Sequence, residues 1–139
     1  NPGPAGLKLR VGEVFPALAV KALDGSPMSP APAEGRKLLI NIWATTCAAC
    51  VAELPDLQRL NDDGGYRVTG LCLDAPGSEA KVAKVMAQRG ARFTVGLLPS
   101  TEAAKVLDLE KASIPMTIVV GLDGRIERVL QGRIRPGSL

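Results

Sequence analysis

The chain has 139 residues, 46% of them hydrophobic and 22% charged, which suits one soluble domain with its own core. Its formal net charge is only +3, and the 17 basic residues are scattered, so we expect no nucleic-acid partner. There is no histidine, which excludes Ser-His and Cys-His catalysis and histidine-ligated zinc. Any chemistry must therefore use sulfur, carboxylates, amines or the backbone.

The N-terminal part predicts an extension ahead of the main fold. Residues 1–12 are rich in proline and glycine and predict an extended arm or linker, followed by a domain over residues 13–139. Residues 17–23 predict a short strand that turns at "DGSP" toward a partner strand near Met28. No stretch approaches the roughly 20 apolar residues of a membrane helix. Because the chain begins without methionine, we expect a signal peptide or anchor to have been removed.

Strand and helix patterns then alternate. "KLLINIW" (37–43) predicts a strand buried on both faces, and from Cys47 the apolar spacing becomes helical, up to the stop signals "NDDGG". The remaining predictions are a strand at 66–74, a helix at 78–90 capped by Ser78, a strand at 92–99, a helix at 100–109 capped by Ser100, and two strands within 116–131 joined at Asp123-Gly124.

This order is β-α-β-α-β-α-β-β after the N-terminal β extension. Strands that alternate with helices indicate parallel neighbours, because parallel strands need crossover connections. The last hairpin adds antiparallel strands. The predicted fold class is therefore α/β, with a central mixed sheet and helices on both faces.

The spacing Cys-Ala-Ala-Cys at Cys47 and Cys50 is compatible with a redox dithiol, half of a metal site, or packing. The chain has no second Cys or His pair, so it cannot complete a closed zinc site, and redox chemistry is favoured. Cys47 lies where a strand passes into a helix, and the free N–H groups there favour a thiolate. Such a setting lowers a thiol pKa from about 8.5 to about 3.5–7.5. Cys50, one turn further, is predicted to be more shielded and to resolve a mixed disulfide.

Four stretches carry a family resemblance that covers nearly the whole chain: "VGEVFPALAVKALDG", "LLINIWATTCAACVAELPDLQRL", "SIPMTIVVGLDGRI" and "GRIRPGSL". They resemble the TlpA/ResA-like bacterial thiol-disulfide oxidoreductases. The resemblance implies a thioredoxin fold, a catalytic Cys47 that attacks, a Cys50 that resolves, and Glu53 near the dithiol. It also implies that Trp43 packs beneath the active-site turn and contributes to substrate binding.

The resemblance assigns two prolines as well. Pro55 matches the proline that kinks the active-site helix. Proline inside a helix lowers helix stability by roughly 3 kcal/mol, so its presence there is consistent with a helix that has to bend. Pro115 matches a cis-proline that faces the dithiol, which would turn the backbone of Ile114 toward the thiols and offer hydrogen bonds to a bound peptide. Ile114, Pro115 and Thr46 are thus expected to contact substrate.

Several positions depart from the family pattern. Thr46 stands where an aromatic residue is usual, and Asn41 occupies the place of the buried aspartate of thioredoxin, which leaves Glu53 as the nearest proton acceptor. Met116 follows Pro115 where threonine is more usual. The chain stops at "RPGSL", where relatives continue into a C-terminal helix, so that helix is expected to be truncated or absent.

Two alternative functions follow from the same residues. One is a Cu(I)-binding or delivery module that uses Cys47, Cys50 and Met116, since soft sulfur ligands suit Cu(I). The other is a thioredoxin-fold scaffold with an inactive dithiol. Thr46, which stands where an aromatic residue is usual beside the attacking sulfur, favours this alternative to some extent. Cys72 lies within a predicted strand and is expected to be a small buried hydrophobic residue.

The expected function is thiol-disulfide exchange through the redox-active disulfide Cys47–Cys50, with no metal and no other cofactor. The resemblance implies an extracytoplasmic location, protein thiols and disulfides of exported proteins as substrates (apocytochrome c among them), and a membrane protein as redox partner. We expect a monomer. The sequence does not fix the direction of the reaction, since dithiols of this fold span about −270 to about −120 mV.

Overall fold

The computed structural model describes residues 6–63, 65–135 and 137–139. Within these residues the seven strands are β1 Val20–Ala22, β2 Pro27–Met28, β3 Lys37–Trp43, β4 Tyr66–Cys72, β5 Thr94–Leu97, β6 Met116–Val120 and β7 Ile126–Gln131. The three helices are α1 Ala48–Asp62, α2 Glu79–Gln88 and α3 Ser100–Ala103. The predicted order of elements is confirmed.

All these strands form one mixed sheet in the order β2-β1-β5-β4-β3-β6-β7. The central strands β3, β4 and β5 are parallel, whereas β1, β2, β6 and β7 pair in antiparallel fashion. In a parallel sheet the carboxyl ends of neighbouring strands meet at the same edge, which is where ligands and chemistry are usually found. Here β3 and β4 end in register, with Trp43 opposite Cys72.

The sheet separates two hydrophobic clusters. Alternate residues of β3 point to opposite faces. Leu38, Ile40 and Ile42 pack in the cluster that contains Ala103 of α3, and Leu39 and Trp43 pack in the cluster that contains residues of α1 and α2. The prediction of helices on both faces is confirmed. Asn41 lies on the α1 side of β3, between Leu39 and Trp43.

The prediction of a helix over residues 100–109 is wrong in its length and in its cap. α3 ends at Ala103, and its N-cap is Pro99 rather than Ser100. The backbone N–H of Lys8 donates to the carbonyl of Val106 at 2.8 Å, and that of Asp108 donates to the carbonyl of Gly6 at 2.8 Å. Pairing with this distant segment takes the backbone groups that a longer helix would use. Ser78 is the N-cap of α2, as predicted, but its side chain makes no capping hydrogen bond.

The segment before β1 lies against the rest of the domain. The N–H of Gly12 donates to the carbonyl of Ile126 at 2.8 Å, and the N–H of Phe15 donates to the carbonyl of Gly124 at 2.9 Å. The boundary between an arm over residues 1–12 and a domain over 13–139 stays a prediction, since residues 1–5 lie outside the described residues. The predicted turn at Asp123-Gly124 joins β6 to β7, and Gly124 has the positive φ of 83° that such a turn requires.

Candidate active site

The two close cysteines lie where β3 passes into α1. Cys47 is the N-cap of α1 in extended conformation, and the N–H of Cys50 donates to its Sγ at 3.2 Å. The two residues are joined by a disulfide, with their Cα atoms 5.2 Å apart. The predicted position of the pair at a helix start is confirmed. An N-cap sulfur that accepts a backbone N–H, at the positive end of a 15-residue helix, has the surroundings that stabilise a thiolate after reduction.

The two sulfurs differ in exposure. Cys47 is partly exposed, whereas Cys50 is fully buried within the cluster between the sheet and the α1–α2 layer. An external disulfide can therefore reach Cys47, and only Cys47 can reach Cys50. This difference matches the attacking and resolving roles that the family resemblance implies, and those roles stay a prediction of the sequence.

The loop before β6 forms one wall of the site. The Ile114–Pro115 peptide bond is cis, and the carbonyl oxygen of Ile114 lies 3.9 Å from Sγ of Cys47. Pro115 is buried, Ile114 is half-buried, and Thr46 on the dithiol turn is exposed. The structure thus places the Ile114–Pro115 loop against Cys47, and Thr46 directly precedes Cys47 in the chain; that these residues contact substrate stays a prediction. Met116, the third sulfur ligand in the copper-binding alternative, is fully buried in the other core cluster.

Trp43 lies in the core cluster against which Cys47 packs. It is fully buried and belongs to the same cluster as Cys50 and Cys72. A Cβ at Gly70 on the neighbouring strand would lie 3.0 Å from the indole Nε1, so the glycine leaves room for the ring. Because Trp43 is buried, any part it takes in substrate binding, which stays a prediction, is indirect.

Asp74 anchors the turn that precedes Cys47, a contact that the sequence analysis missed. Its Oδ1 accepts the N–H of Thr45 at 2.9 Å, and its Oδ2 accepts the Thr45 hydroxyl. Burial acts to raise the pKa of Asp74, but the hydrogen bonds from Thr45 and Cys72 and the charge of Lys81 together outweigh it, so the pKa is lowered from its ordinary value. The available signal was position, because Asp74 follows a parallel strand that ends beside β3.

Cys72 is the chain's third thiol and lies at the end of β4. It is fully buried, and its Sγ lies 3.3 Å from Oδ1 of Asp74. Burial raises the pKa of Cys72 to about 12. The prediction of a small buried hydrophobic residue at this position is confirmed.

Glu53 lies one turn beyond Cys50 on α1 and is fully buried. Its Oε1 accepts from Nδ2 of Asn41 at 2.8 Å, and its Oε2 accepts from the backbone N–H of Ile134 at 2.6 Å. Burial raises the pKa of Glu53, and these two hydrogen bonds partly oppose that rise. Residues three apart on a helix share one face, so the carboxyl lies on the same face as Sγ of Cys50.

Within the described residues, no group of three or more Cys, Asp or Glu side chains is arranged to hold a metal ion. In the same residues, no helix has both the length and the apolar character needed to cross a bilayer.

Pro55 lies inside α1, which continues on both sides of it.

The fold and the paired cysteines at the start of α1 define a dithiol protein of the thioredoxin superfamily. Residues 10–136 match the Redoxin family, and the chain belongs to that family as a TlpA/ResA-like member. The predicted class of activity, a protein thiol-disulfide oxidoreductase, is confirmed by this relationship and by the Cys47–Cys50 pair.

Curated relatives include the thiol-disulfide oxidoreductase ResA of Oceanobacillus iheyensis, which is 30% identical over 133 residues, covering 90% of this chain and 67% of the relative. ResA of Bacillus thuringiensis subsp. konkukian is 23% identical over 128 residues, covering 90% and 72%.

Among solved structures, a thio-disulfide isomerase from Thermus thermophilus superposes with a TM-score of 0.71 at 25% identity, covering 92% of this chain and 90% of that one. The thioredoxin domain of a thiol-disulfide oxidoreductase from Bacteroides vulgatus superposes with a TM-score of 0.71 at 24% identity, covering 92% and 91%. These likenesses confirm the predicted fold class.

Proposed function

We propose that this protein exchanges disulfides with exported proteins, with Cys47 as the attacking thiol and Cys50 as the resolving thiol. One observation carries the proposal. A partly exposed sulfur at a helix N-terminus accepts the N–H of Cys50 at 3.2 Å, while the sulfur of Cys50 is buried beneath it. Attack at the exposed sulfur and resolution from the buried one then follow from access alone.

The exchange balances as two successive displacements. The Cys47 thiolate attacks one sulfur of a substrate disulfide, and the other substrate sulfur leaves as a thiolate. Cys50 then loses its proton and attacks Sγ of Cys47, which releases the second substrate sulfur. The substrate gains two electrons and the dithiol loses two. Because each displacement is reversible, the same residues also oxidise a substrate dithiol.

Glu53 is the proposed acceptor for the proton that Cys50 loses. It is buried on the same face of α1, and burial raises the pKa of its carboxyl above the ordinary value, which makes the carboxylate a stronger base. A general base works best when its pKa lies near the working pH. The buried thiol therefore has a proton acceptor within the protein, away from solvent.

The loop at Ile114 and Pro115 is the proposed site for the substrate main chain. The carbonyl of Ile114 points to the region of Cys47 Sγ and can accept an N–H from an extended peptide. Thr46 lies exposed on the dithiol turn beside the sulfur. Recognition through backbone groups gives little preference for substrate sequence, which suits a protein that acts on several partners.

The resemblance to TlpA/ResA-like proteins supports a location outside the cytoplasm and apocytochrome c as one substrate. It also supports a membrane protein that returns the dithiol to its working redox state. Action as a monomer is part of the same proposal. The curated relatives named ResA are consistent with these assignments.

The test uses cysteine variants and insulin reduction. Cys50→Ser should accumulate a mixed disulfide between Cys47 and substrate, visible by non-reducing gel and mass spectrometry, because the resolving thiol is gone. Cys47→Ser should trap nothing and should not reduce insulin, and Cys72→Ser is the matched control with normal turnover. If Cys50→Ser traps nothing while Cys47→Ser keeps full insulin reduction, the assignment of roles is wrong.

A further inference from the structure

A buried polar cluster connects α1, β3 and β6 beneath the dithiol. Asn41, Glu53 and Thr117 all have fully buried side chains. Nδ2 of Asn41 donates to Oε1 of Glu53 at 2.8 Å and lies 3.2 Å from Oγ1 of Thr117. Buried polar groups require partners, so the hydrogen-bonding capacity of each group limits what the cluster can do.

In the observed arrangement both oxygens of Glu53 accept hydrogen bonds, as an ionised carboxylate requires. Oε2 accepts from the backbone N–H of Ile134 at 2.6 Å. A backbone N–H can only donate, so Oε2 must remain an acceptor whether or not Glu53 is protonated. A proton taken up by Glu53 therefore belongs on Oε1, and an O–H there needs an acceptor where Nδ2 of Asn41 now lies.

Asn41 already carries that acceptor on its own side chain. Its Oδ1 is buried and has no hydrogen-bond partner among the residues that the structure describes. A half-turn about χ2, a soft and roughly two-fold torsion, exchanges Oδ1 and Nδ2 without moving the backbone. Thr117 can follow this change, because a hydroxyl accepts from an N–H and equally donates to an oxygen.

We propose that Asn41 is a positioning residue whose amide turns over when Glu53 takes up a proton, presenting Nδ2 to the carboxylate and Oδ1 to the acid. This inference deepens the proposed function, because the proton in question is the one that Cys50 releases. An aspartate at this position, as in thioredoxin, would place a second buried carboxyl group against Glu53, and the two could not both be ionised there. The amide supports both protonation states.

The proton balance is simple. Cys50 S–H gives its proton to Oε1 of Glu53, Asn41 turns its Oδ1 toward the new O–H, and the Cys50 thiolate attacks Cys47. Once the disulfide has formed, Glu53 releases the proton to solvent and Asn41 turns back. In the observed state Oδ1 is the amide atom without a partner among the described residues, and after the turn Nδ2 would take that place.

Two charged groups face this cluster from outside it. Asp56 acts to raise the pKa of Glu53 and Arg133 acts to lower it, and their side chains form an ion pair at 3.7 Å. Their effects on Glu53 are of opposite sign. Neither makes a hydrogen bond to Glu53, so neither responds to the position of the proton as Asn41 does.

Glu53→Gln tests the turn of the amide directly. In this variant the Ile134 N–H requires the oxygen of the new carboxamide, which places the carboxamide NH₂ against Asn41 and demands Oδ1 there. NMR should show strong NOEs from the Asn41 NH₂ protons to the Thr117 side chain in the wild type at high pH, and their loss in Glu53→Gln. In the wild type the same loss should follow the titration of Glu53, read from its ¹³C carboxyl shift. NOEs that stay unchanged in both experiments would overturn the inference.

The pH profile of mixed-disulfide decay provides a second test, because a general loss of core packing would not shift its midpoint. Asn41→Leu should slow the decay of a preformed Cys47 mixed disulfide by about tenfold, the loss expected for one hydrogen bond to a charged group, and should move the midpoint of its pH profile upward. Thr117→Val should show the same upward shift, but smaller. Thr69→Val, which alters another fully buried threonine on β4, is the matched control and should leave the profile unchanged. Equal profiles for Asn41→Leu and Thr69→Val would contradict the proposal.

The outcomes separate the inference from the proposed function. If wild-type protein reduces insulin and the Asn41 NOEs never change, the function stands and the turning amide is wrong. If the NOEs change with Glu53 but no substrate is trapped by Cys50→Ser, the amide turns as proposed and the assignment of thiol roles is wrong.

Discussion

Two neighbouring strands of the sheet each lead to a cysteine, and the two cysteines have opposite surroundings. β3 and β4 run in parallel and end in register at Trp43 and Cys72. Cys47 follows β3 at the start of a helix, is partly exposed, and accepts a backbone N–H. Cys72 ends β4, is fully buried, and has the carboxylate of Asp74 3.3 Å from its sulfur.

The comparison shows that proximity to the active edge of the sheet does not make a thiol reactive. What differs is the set of groups that meet the sulfur. A helix N-terminus supplies N–H donors and a positive potential, which favour a thiolate. A dry core and a neighbouring carboxylate favour the protonated thiol, and the pKa of Cys72 rises to about 12. Two cysteines at the same edge of one sheet therefore have different roles: Cys47 has the surroundings for thiol chemistry, and Cys72 packs in the core.

The largest expected effect is on thiol alkylation of the reduced protein. With a pKa of about 12, the thiolate fraction of Cys72 at pH 7 is on the order of 10⁻⁵, and the side chain is also inaccessible. Iodoacetamide should modify Cys47 at least about a thousandfold faster than Cys72, measured by peptide mapping at timed intervals. Denatured protein is the control and should label both equally. Comparable rates in the folded protein would remove the distinction between the two environments.

A smaller effect is expected from Asp74, which contacts both regions. Asp74→Ala removes the acceptor for two hydrogen bonds from Thr45 and should lower the free energy of unfolding by about 1–3 kcal/mol at pH 7, measured by urea denaturation. Asp74→Asn, which keeps one acceptor oxygen, should recover part of the loss.

The pH dependence of this contribution has a definite sign. The pKa of Asp74 is lower in the folded protein than in the unfolded chain, so its stabilisation is present above about pH 3.9 and is lost as the pH falls through the folded value. The stability difference between wild type and Asp74→Ala should therefore shrink on acidification. A constant difference would show that the carboxylate charge is not what anchors Thr45.

The smallest expected effect is the pH dependence that the buried Glu53 carboxyl gives to the free energy of unfolding. Its pKa is raised on folding, so the native state holds the proton more tightly, and stability falls as the pH rises from about 4.3 through the folded pKa. Glu53→Gln should abolish this fall, measured by urea denaturation at closely spaced pH values. Glu110→Gln, at an exposed position, is the matched control and should retain it. Parallel curves for wild type and Glu53→Gln would contradict the raised pKa.

Elements with strong local patterns were predictable from the sequence. The continuous apolar run of β3, the helical spacing after Cys47 and the turn at Asp123-Gly124 each act over a few residues. The redox pair was predictable for the same reason, because a strand followed directly by a helix places Cys47 at a helix start whatever the rest of the fold does.

Features that depend on distant pairing were not predictable. α3 stops at Ala103 because residues 106–108 bond to residues 6–8, which lie about one hundred positions earlier. The anchoring of Thr45 by Asp74 depends on the register of β3 against β4. The donor from Ile134 reaches Glu53 across 81 positions, and no local pattern predicts it.

The backbone of Ile134 has a consequence for the far end of the chain. Because its N–H supplies one of the two donors to the Glu53 carboxyl, the segment that follows β7 belongs to the immediate surroundings of the proposed proton acceptor. Removing the chain from Ile134 onward would take away one donor to the carboxyl and part of the core beside it, so the charge state of Glu53 and the packing next to the dithiol both depend on this segment.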